Sequence, residues 1–248
     1  MSATFDFVLR TRSLELNSDG RNVWTADEAG FSVDASKLAL VLCDVWDSHY
    51  SRGARERLEL MVSRMNDVVT TARDKGAKII HSPSGTMNFY SDSPARKRMQ
   101  EFPRIEPPPP QDHADPPLPI DDTQGGSDTN ETDPVRAYSR EHPSITIDQD
   151  RDVISDDGDE VYSFLQHTGC EMLLIMGVHT NMCVLNRSFA IKQMVRRGQN
   201  VALISDLTDT MYDPAKSPYV SHEQGTDLVV HYIESFWCPT IQSDQLMA

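Results

Sequence analysis

The chain has 248 residues, a formal net charge of −15 and a sequence pI near 4.8, a length that suits one α/β domain with a large core. So acidic a balance leaves no basic footprint for nucleic acid or an anionic membrane, and no apolar run approaches the roughly 20 residues of a membrane span. Cys43, Cys170, Cys183 and Cys238 show no C-x-x-C spacing, so reduced thiols are expected rather than disulfides or a structural zinc site; residues 1–13 lack a signal-peptide pattern, so a cytoplasmic protein is expected.

Residues 1–36 are polar, with Trp24 and Phe31 as isolated apolar anchors, and read as a short strand or hairpin decorating the core. Residues 38–45 are continuously apolar, as in a central strand covered on both faces. Leu58, Met61, Val62, Met65, Val68, Val69 and Ala72 recur at helical spacing, and Gly76 follows as a C-cap. A short strand at 77–81 completes a βαβ unit, which implies a right-handed crossover and parallel pairing. A loop and a helix occupy 82–103, with Ser93 as N-cap and Pro94 at the first helical position.

The character then changes. Residues 104–143 carry Pro107 to Pro110, Pro116 and Pro117, Gly125 and Gly126, many Asp and almost no apolar periodicity. A stretch of that length is either disordered or a functional lid; an ordered excursion over the active-site edge would be pinned by Leu118, Ile120 and Tyr138. Beyond it, 144–147 reads as a strand, 158–167 as a helix, 172–178 as a strand, 181–197 as a helix stopped by Gly198, 200–206 as a strand and 221–237 as the last long helix. This alternation predicts an α/β fold, a three-layer α/β/α sandwich with a central doubly wound, mostly parallel sheet. Residues 37–237 form the domain, 1–36 its N-terminal decoration and 238–248 a C-terminal tail, a candidate lid or interface element like the 104–143 insertion. Asp206, Thr208, Asp209 and Tyr212 read as a solvated loop at the sheet edge, with Tyr212 available to substrate or a neighbouring subunit.

Two strand ends carry the chemistry. Cys183 follows the 172–178 strand at the mouth of a helix. A helix N-terminus stabilises negative charge and offers free N–H groups, so a thiol there should ionise readily and act as a nucleophile; a buried structural cysteine is the alternative. The 38–45 strand ends on Asp44. The carboxyl ends of parallel strands line the ligand crevice, which would set Asp44 and Cys183 on one cavity; a carboxylate capping a neighbouring backbone group is the alternative. Trp46 and His49 read as substrate-pocket residues, or, for His49, as a half-exposed loop residue. The His179 side chain sits on a tight turn with no direction set by the sequence, and Thr180 is suited to holding that turn.

Together the two segments resemble the isochorismatase-like cysteine hydrolases, which include nicotinamidases and N-carbamoyl amidohydrolases. The family carries an apolar strand ending in Asp, and a strand followed by Gly-x-x-Thr-x-x-Cys-Val, matched here by Gly177, Thr180, Cys183 and Val184. The resemblance covers roughly residues 36–236 apart from the irregular middle. It implies the three-layer fold, attack of Cys183 on a carbonyl carbon to give a thioester, and an oxyanion held by the backbone N–H groups of His179 and Cys183. It also implies a cis peptide at Val178–His179, Asp44 as general base and acid, a small-molecule substrate, no required cofactor and a homo-oligomer.

The pattern breaks at the lysine of the family's Asp-Lys-Cys triad. No lysine lies between Lys97 and Lys192, and the corresponding region offers Arg140, His142 and Arg151 as replacement cations. Family nicotinamidases also bind a divalent metal through an Asp-x-His pair after the second strand; here His81 is followed by Ser82, Pro83 and Ser84, and Asp47, His49 and His81 are the alternative nitrogen and oxygen donors. Three functions stand open: a cysteine hydrolase cleaving a C–N bond of a small amide, carbamoyl compound or imide; a catalytically silent binding or scaffold protein on the same fold; and a vinyl-ether hydrolase using Asp44 without Cys183.

Overall fold

A computed structural model describes residues 3–131 and 135–247. The chain opens with two long strands, β1 (Thr4–Leu16) and β2 (Asn22–Asp34), paired antiparallel along their whole length. They form a larger element than the short decoration expected. Alternation explains its root: Phe5, Phe7 and Val33 point into the core while Asp6 and Ser32 face out and hydrogen-bond each other. The far end projects past the sheet, leaving Leu14, Leu16 and Trp24 exposed.

The core is built around β3 (Leu38–Cys43), whose six residues are all buried. Leu38, Leu40 and Leu42 face one layer, and Ala39, Val41 and Cys43 face the other. α1 (Arg52–Lys75) starts at Ser51, whose Oγ accepts from Ala54 N, and ends at Gly76 in the left-handed conformation. It lays Leu58, Val62, Met65, Val68 and Val69 on the leucine face of β3. The chain continues through β4 (Lys78–Ser82), α2 (Pro94–Glu101), β5 (Val153–Ile154), α3 (Gly158–Thr168), β6 (Met172–Val178), α4 (Cys183–Asn186), α5 (Ile191–Arg196), β7 (Val201–Asp209), α6 (His222–Phe236), β8 (Thr240–Ile241) and α7 (Asp244–Met247). The eight strands form one sheet in the order β2-β1-β8-β7-β6-β3-β4-β5. The six from β8 to β5 are parallel, and β1 joins them antiparallel through Arg10 and Thr240. This is the mostly parallel, doubly wound α/β fold that the alternation predicts. Among the described residues no helix is long and apolar enough to cross a membrane.

Four local expectations are corrected. Residues 144–147 form no strand: Thr146 N bonds to Asn66 Oδ1, Thr146 O accepts from Arg73, and Ile145 N turns back to His142 O. The sheet takes Val153 and Ile154 as its edge instead. The helix expected over 181–197 is broken between α4 and α5, because α3 abuts that point: Gly158 N bonds to Ser188 Oγ at 3.0 Å, and a Cβ on Gly158 would stand 2.2 Å from Ser188 O. Thr208 and Asp209 belong to β7 rather than to a solvated loop, and Tyr212 is fully buried. Residues 238–247 are not a free tail, since β8 bridges β7 to the hairpin and Leu246 is buried.

The described part of the 104–143 insertion is an irregular but closely pinned strap; residues 132–134 lie outside the described residues. His113 stacks on Trp237 at 4.4 Å, and Asp115 meets Lys192 at 2.7 Å, Arg196 at 3.3 Å and the Tyr232 hydroxyl at 3.0 Å. Asp128 pairs with Arg57 of α1 at 2.7 Å. Gly126, at φ +68°, packs where a Cβ would lie 2.2 Å from Met211 O.

The far end of the insertion is anchored by a buried ionic cluster. His81 at the end of β4 has Nδ1 2.8 Å from Glu141 and Nε2 3.0 Å from Asp152, and Arg73 of α1 grips Asp152 with two bonds of 2.8 and 2.7 Å. Both imidazole nitrogens face carboxylates, so both carry protons. Burial opposes that charge, but Glu141 and Asp152 outweigh it and hold the His81 pKa up at about 9. A pKa raised above the unfolded value stabilises the fold fully below about pH 6.5 and loses that contribution as pH rises through about 9. His81→Gln should therefore cost about 3–5 kcal/mol at pH 6 by leaving buried carboxylates unmatched, and its deficit relative to wild type should shrink toward pH 10, as read by urea unfolding across that range.

Candidate active site

β3, β4 and β6 end side by side, and the turns that leave them converge. After Cys43 the chain turns sharply at Asp44, which takes φ +52° despite its side chain. Its N–H bonds to Ser82 O at 3.1 Å. The fully buried carboxylate accepts Ser84 N–H on Oδ1 at 2.7 Å and Arg187 Nε–H on Oδ2 at 2.8 Å. On the neighbouring strand Gly177 has φ +127°, and a Cβ there would lie 2.0 Å from Cys43 O. Only glycine allows β6 to approach β3 this closely, so the first residue of the Gly-x-x-Thr-x-x-Cys-Val pattern sets the distance between the two strand ends.

The Val178–His179 peptide is cis. The turn that follows is held from behind by β7. Thr180 N–H donates to Asp209 O at 2.8 Å, the Thr180 and Thr208 hydroxyls meet at 2.8 Å, and Thr208 Oγ donates to Gly177 O at 2.8 Å. Asp209 is fixed in turn by Arg57, both oxygens at 3.0 Å from Nε, and by His222 Nε2 at 2.9 Å. Cys183 is the first residue of α4.

Electrostatics at the sulfur run opposite to the expectation of a readily ionised thiol. Burial and then the Asp44 charge push the Cys183 pKa up to about 12, against the pull of Arg187. α4 spans four residues, too short for a large macrodipole to offset these two effects. Burial also raises Asp44, while Arg187, the Cys183 thiol and the Ser84 N–H draw it back. At rest the thiol keeps its proton, and the Asp44 carboxyl, its pKa still raised by burial despite Arg187, lies beside it with the guanidinium on Oδ2. His179 and His49 are both neutral: burial brings them down to about 3 and about 4.

Arg187 is the cation that faces Asp44, and the three candidates from the sequence do not reach it. Arg140 lies over the Phe89 ring and near Asp47, His142 bonds to Glu59 at 3.0 Å, and Arg151 is held by Asp148 and Asp74. The signal for Arg187 was present: it stands four residues after Cys183, and i,i+4 spacing on one helical turn sets both side chains on the same side. Trp46 is buried beneath this pair, its ring 6.0 Å from the guanidinium carbon, 3.9 Å from the parallel Tyr138 ring, and its Nε1–H on Ser84 O at 3.2 Å. His49 packs edge-on against His179 at 4.8 Å, and its Nδ1 accepts Ser51 N–H.

Asp47, His49 and His81 do not converge on a metal position. Asp47 holds Ser139, and His81 is enclosed by Glu141 and Asp152. Among the described residues no group of three or more His, Cys, Asp or Glu side chains is arranged around a common point for a metal ion. Cys183 opens on a cavity of about 480 Å³ walled by Leu118 and Asp122 of the insertion and by Asn181, Met182, Asn186 and Arg187. A larger hollow of about 590 Å³ lies between Tyr50, residues 121–131, Asp213 and Lys216, and neither Asp44 nor Cys183 lines it.

The family model of the isochorismatase domain matches residues 38–218, and the chain belongs to that family of hydrolases. Among solved structures it is similar to a cysteine hydrolase from Pseudomonas syringae pv. phaseolicola 1448A, with a TM-score of 0.55, 13% identity, and coverage of 87% of this chain and 92% of the other. It is also similar to an isochorismatase from Pseudomonas putida KT2440, with a TM-score of 0.50, 13% identity, and coverage of 86% and 91%. These likenesses show the shared fold. No curated protein matches the chain.

The charge arrangement makes Cys183 alkylation a direct readout. Iodoacetamide labelling, located by mass spectrometry, should be slow at pH 7 and keep rising with pH beyond 9. At fixed pH Asp44→Asn should speed it, by removing the charge that opposes the thiolate, and Arg187→Gln should slow it. The reverse order for the two variants would contradict the assigned charges.

Proposed function

We propose that the protein hydrolyses a C–N bond of a small amide, carbamoyl compound or imide through a thioester on Cys183. The observation that carries this reading is the Asp44 carboxylate, fully buried between the Cys183 thiol and the Arg187 guanidinium, 2.8 Å from Arg187 Nε. A lone buried carboxylate would be driven to its neutral form. With Arg187 beside it, Asp44 is a base that faces the thiol whose proton it removes.

As the sulfur attacks the carbonyl carbon, the thiol proton passes to Asp44 and the S–C bond forms. The carbonyl oxygen gains the negative charge and is received by the N–H groups of His179 and Cys183. Collapse breaks the C–N bond, and Asp44 returns its proton to the departing nitrogen. Water then attacks the thioester with Asp44 as base, the carbon–sulfur bond breaks, and Asp44 returns the proton to sulfur. Arg187 carries a fixed charge throughout. Guanidinium holds its proton at any working pH, so it stabilises Asp44 and the transient thiolate without entering the proton relay. The missing lysine leaves room for a catalytically silent protein, and a cation at Asp44 supports the hydrolase reading instead.

Ammonia release from a panel of small amides and ureas tests the reading. Cys183→Ala and Asp44→Asn should each lower kcat/KM by about 10³-fold or more, and Arg187→Gln by about 10²-fold with partial recovery in Arg187→Lys. Intact-mass analysis of a quenched reaction should find the acyl group on Cys183. Full activity in Cys183→Ala would instead select an Asp44-dependent reaction such as vinyl-ether hydrolysis.

A further inference from the structure

The cavity in front of Cys183 is walled on its outer side by the insertion, which contributes Asp122. Asp122 is held in place. Its Oδ2 accepts Asn181 Nδ2–H at 2.8 Å, and Asn181 is locked in turn by Met211, accepting its N–H at 3.0 Å and donating to its carbonyl at 3.1 Å. The Asp122 carbonyl also accepts Gly125 N–H at 2.9 Å. Asn181 lies two residues before Cys183, so the carboxylate is braced on the same turn that carries the sulfur.

The charges around this cavity do not cancel. Arg187 is matched by Asp44 at 2.8 Å. Asp122 has no ion-pair partner among the described residues, and its Oδ1 accepts no hydrogen bond from them. The cavity wall therefore carries one uncompensated negative charge, on a chain whose net charge is −15. A braced carboxylate on a cavity wall, with an oxygen that accepts no bond from the described residues, attracts a cationic N–H donor and repels an anion, and the acidic surroundings favour the approach of cations.

We propose that Asp122 is a specificity-determining residue, and that it selects an amide bearing a positively charged amino group on the side away from the scissile bond. This rests on the hydrolase reading for the bond that is broken, while the binding preference stands on the cavity itself. The substituent meets Asp122 as the carbonyl carbon meets Cys183, and a carboxylate-bearing amide is rejected by like charge. Asp122 accounts for a role of the insertion in the site, because the core elements supply no equivalent carboxylate to that wall.

The test compares β-alaninamide with butanamide, which has the same length without the charge, and with succinamate, which has the opposite charge. Wild type should favour β-alaninamide over butanamide by about tenfold or more in kcat/KM, with succinamate worst. Asp122→Asn keeps an oxygen for Asn181 and should bring the first ratio close to one. An unchanged ratio in that variant, or succinamate as the best substrate, overturns the proposal. Calorimetric binding to Cys183→Ser separates the two readings. Tighter binding of β-alaninamide than of butanamide, lost in the Cys183→Ser, Asp122→Asn double variant, upholds the assignment even where no amide is turned over, and in that case the hydrolase reading fails alone. Equal binding of the two amides overturns the assignment of Asp122.

Discussion

The site depends on one bond, Arg187 Nε to Asp44 Oδ2, at a carboxylate with no solvent exposure. An unmatched charge in that position would neutralise itself by taking up a proton. The guanidinium and the Ser84 N–H draw the Asp44 pKa back toward the ordinary range, though burial still holds it above. The thiol is the third partner. Burial first, and then the Asp44 charge, keep the proton on the sulfur.

That contact needs three chain segments brought together, and the sheet does this. Gly177 lets β6 lie against the end of β3, and β7 closes behind the turn through Asp209 and Thr208. Arg57 links this scaffold outward, since the same guanidinium that grips Asp209 also holds Asp128 of the insertion. The strap over the cavity and the floor beneath the cysteine turn are therefore mechanically joined through a residue of α1. The His81 cluster performs a similar service at the other end, fixing Glu141 and through it the strand-like contact of Glu141 with Trp46.

Where a local pattern and the tertiary contacts agreed, the elements were legible in the sequence. The β3 and β6 runs are apolar throughout because both faces are covered, and α1 shows its stripe because only one face is. Where they diverged, the signal pointed elsewhere. Ile145 and Ile147 alternate like a strand, yet Asn66 and Arg73 claim the backbone around Thr146. Val184, Ile191 and Val195 keep helical spacing across a break imposed by the first turn of α3 at Ser188. Thiol acidity was misjudged for a related reason: position at a helix start is visible in sequence, but burial beside a carboxylate is not. The family's lysine pattern points upstream of the cysteine, whereas Arg187 supplies the charge one turn downstream.

Supplying the cation from the nucleophile's own turn changes what the site can do. A lysine on a separate strand moves independently of the cysteine and can exchange a proton. Arg187 is tied to Cys183 by backbone geometry, keeps its charge, and presents a planar fork of which Nε alone is bonded to Asp44. In the proposed mechanism proton traffic is then confined to Asp44, as base and acid in turn. The arrangement also pairs the charge on the inner wall of the cavity, which under the proposal for Asp122 leaves the outer wall, supplied by the insertion, to set the electrostatic preference. An irregular segment outside the repeating strand–helix pattern can in this way alter ligand choice while β3, β6 and the cysteine turn stay as they are.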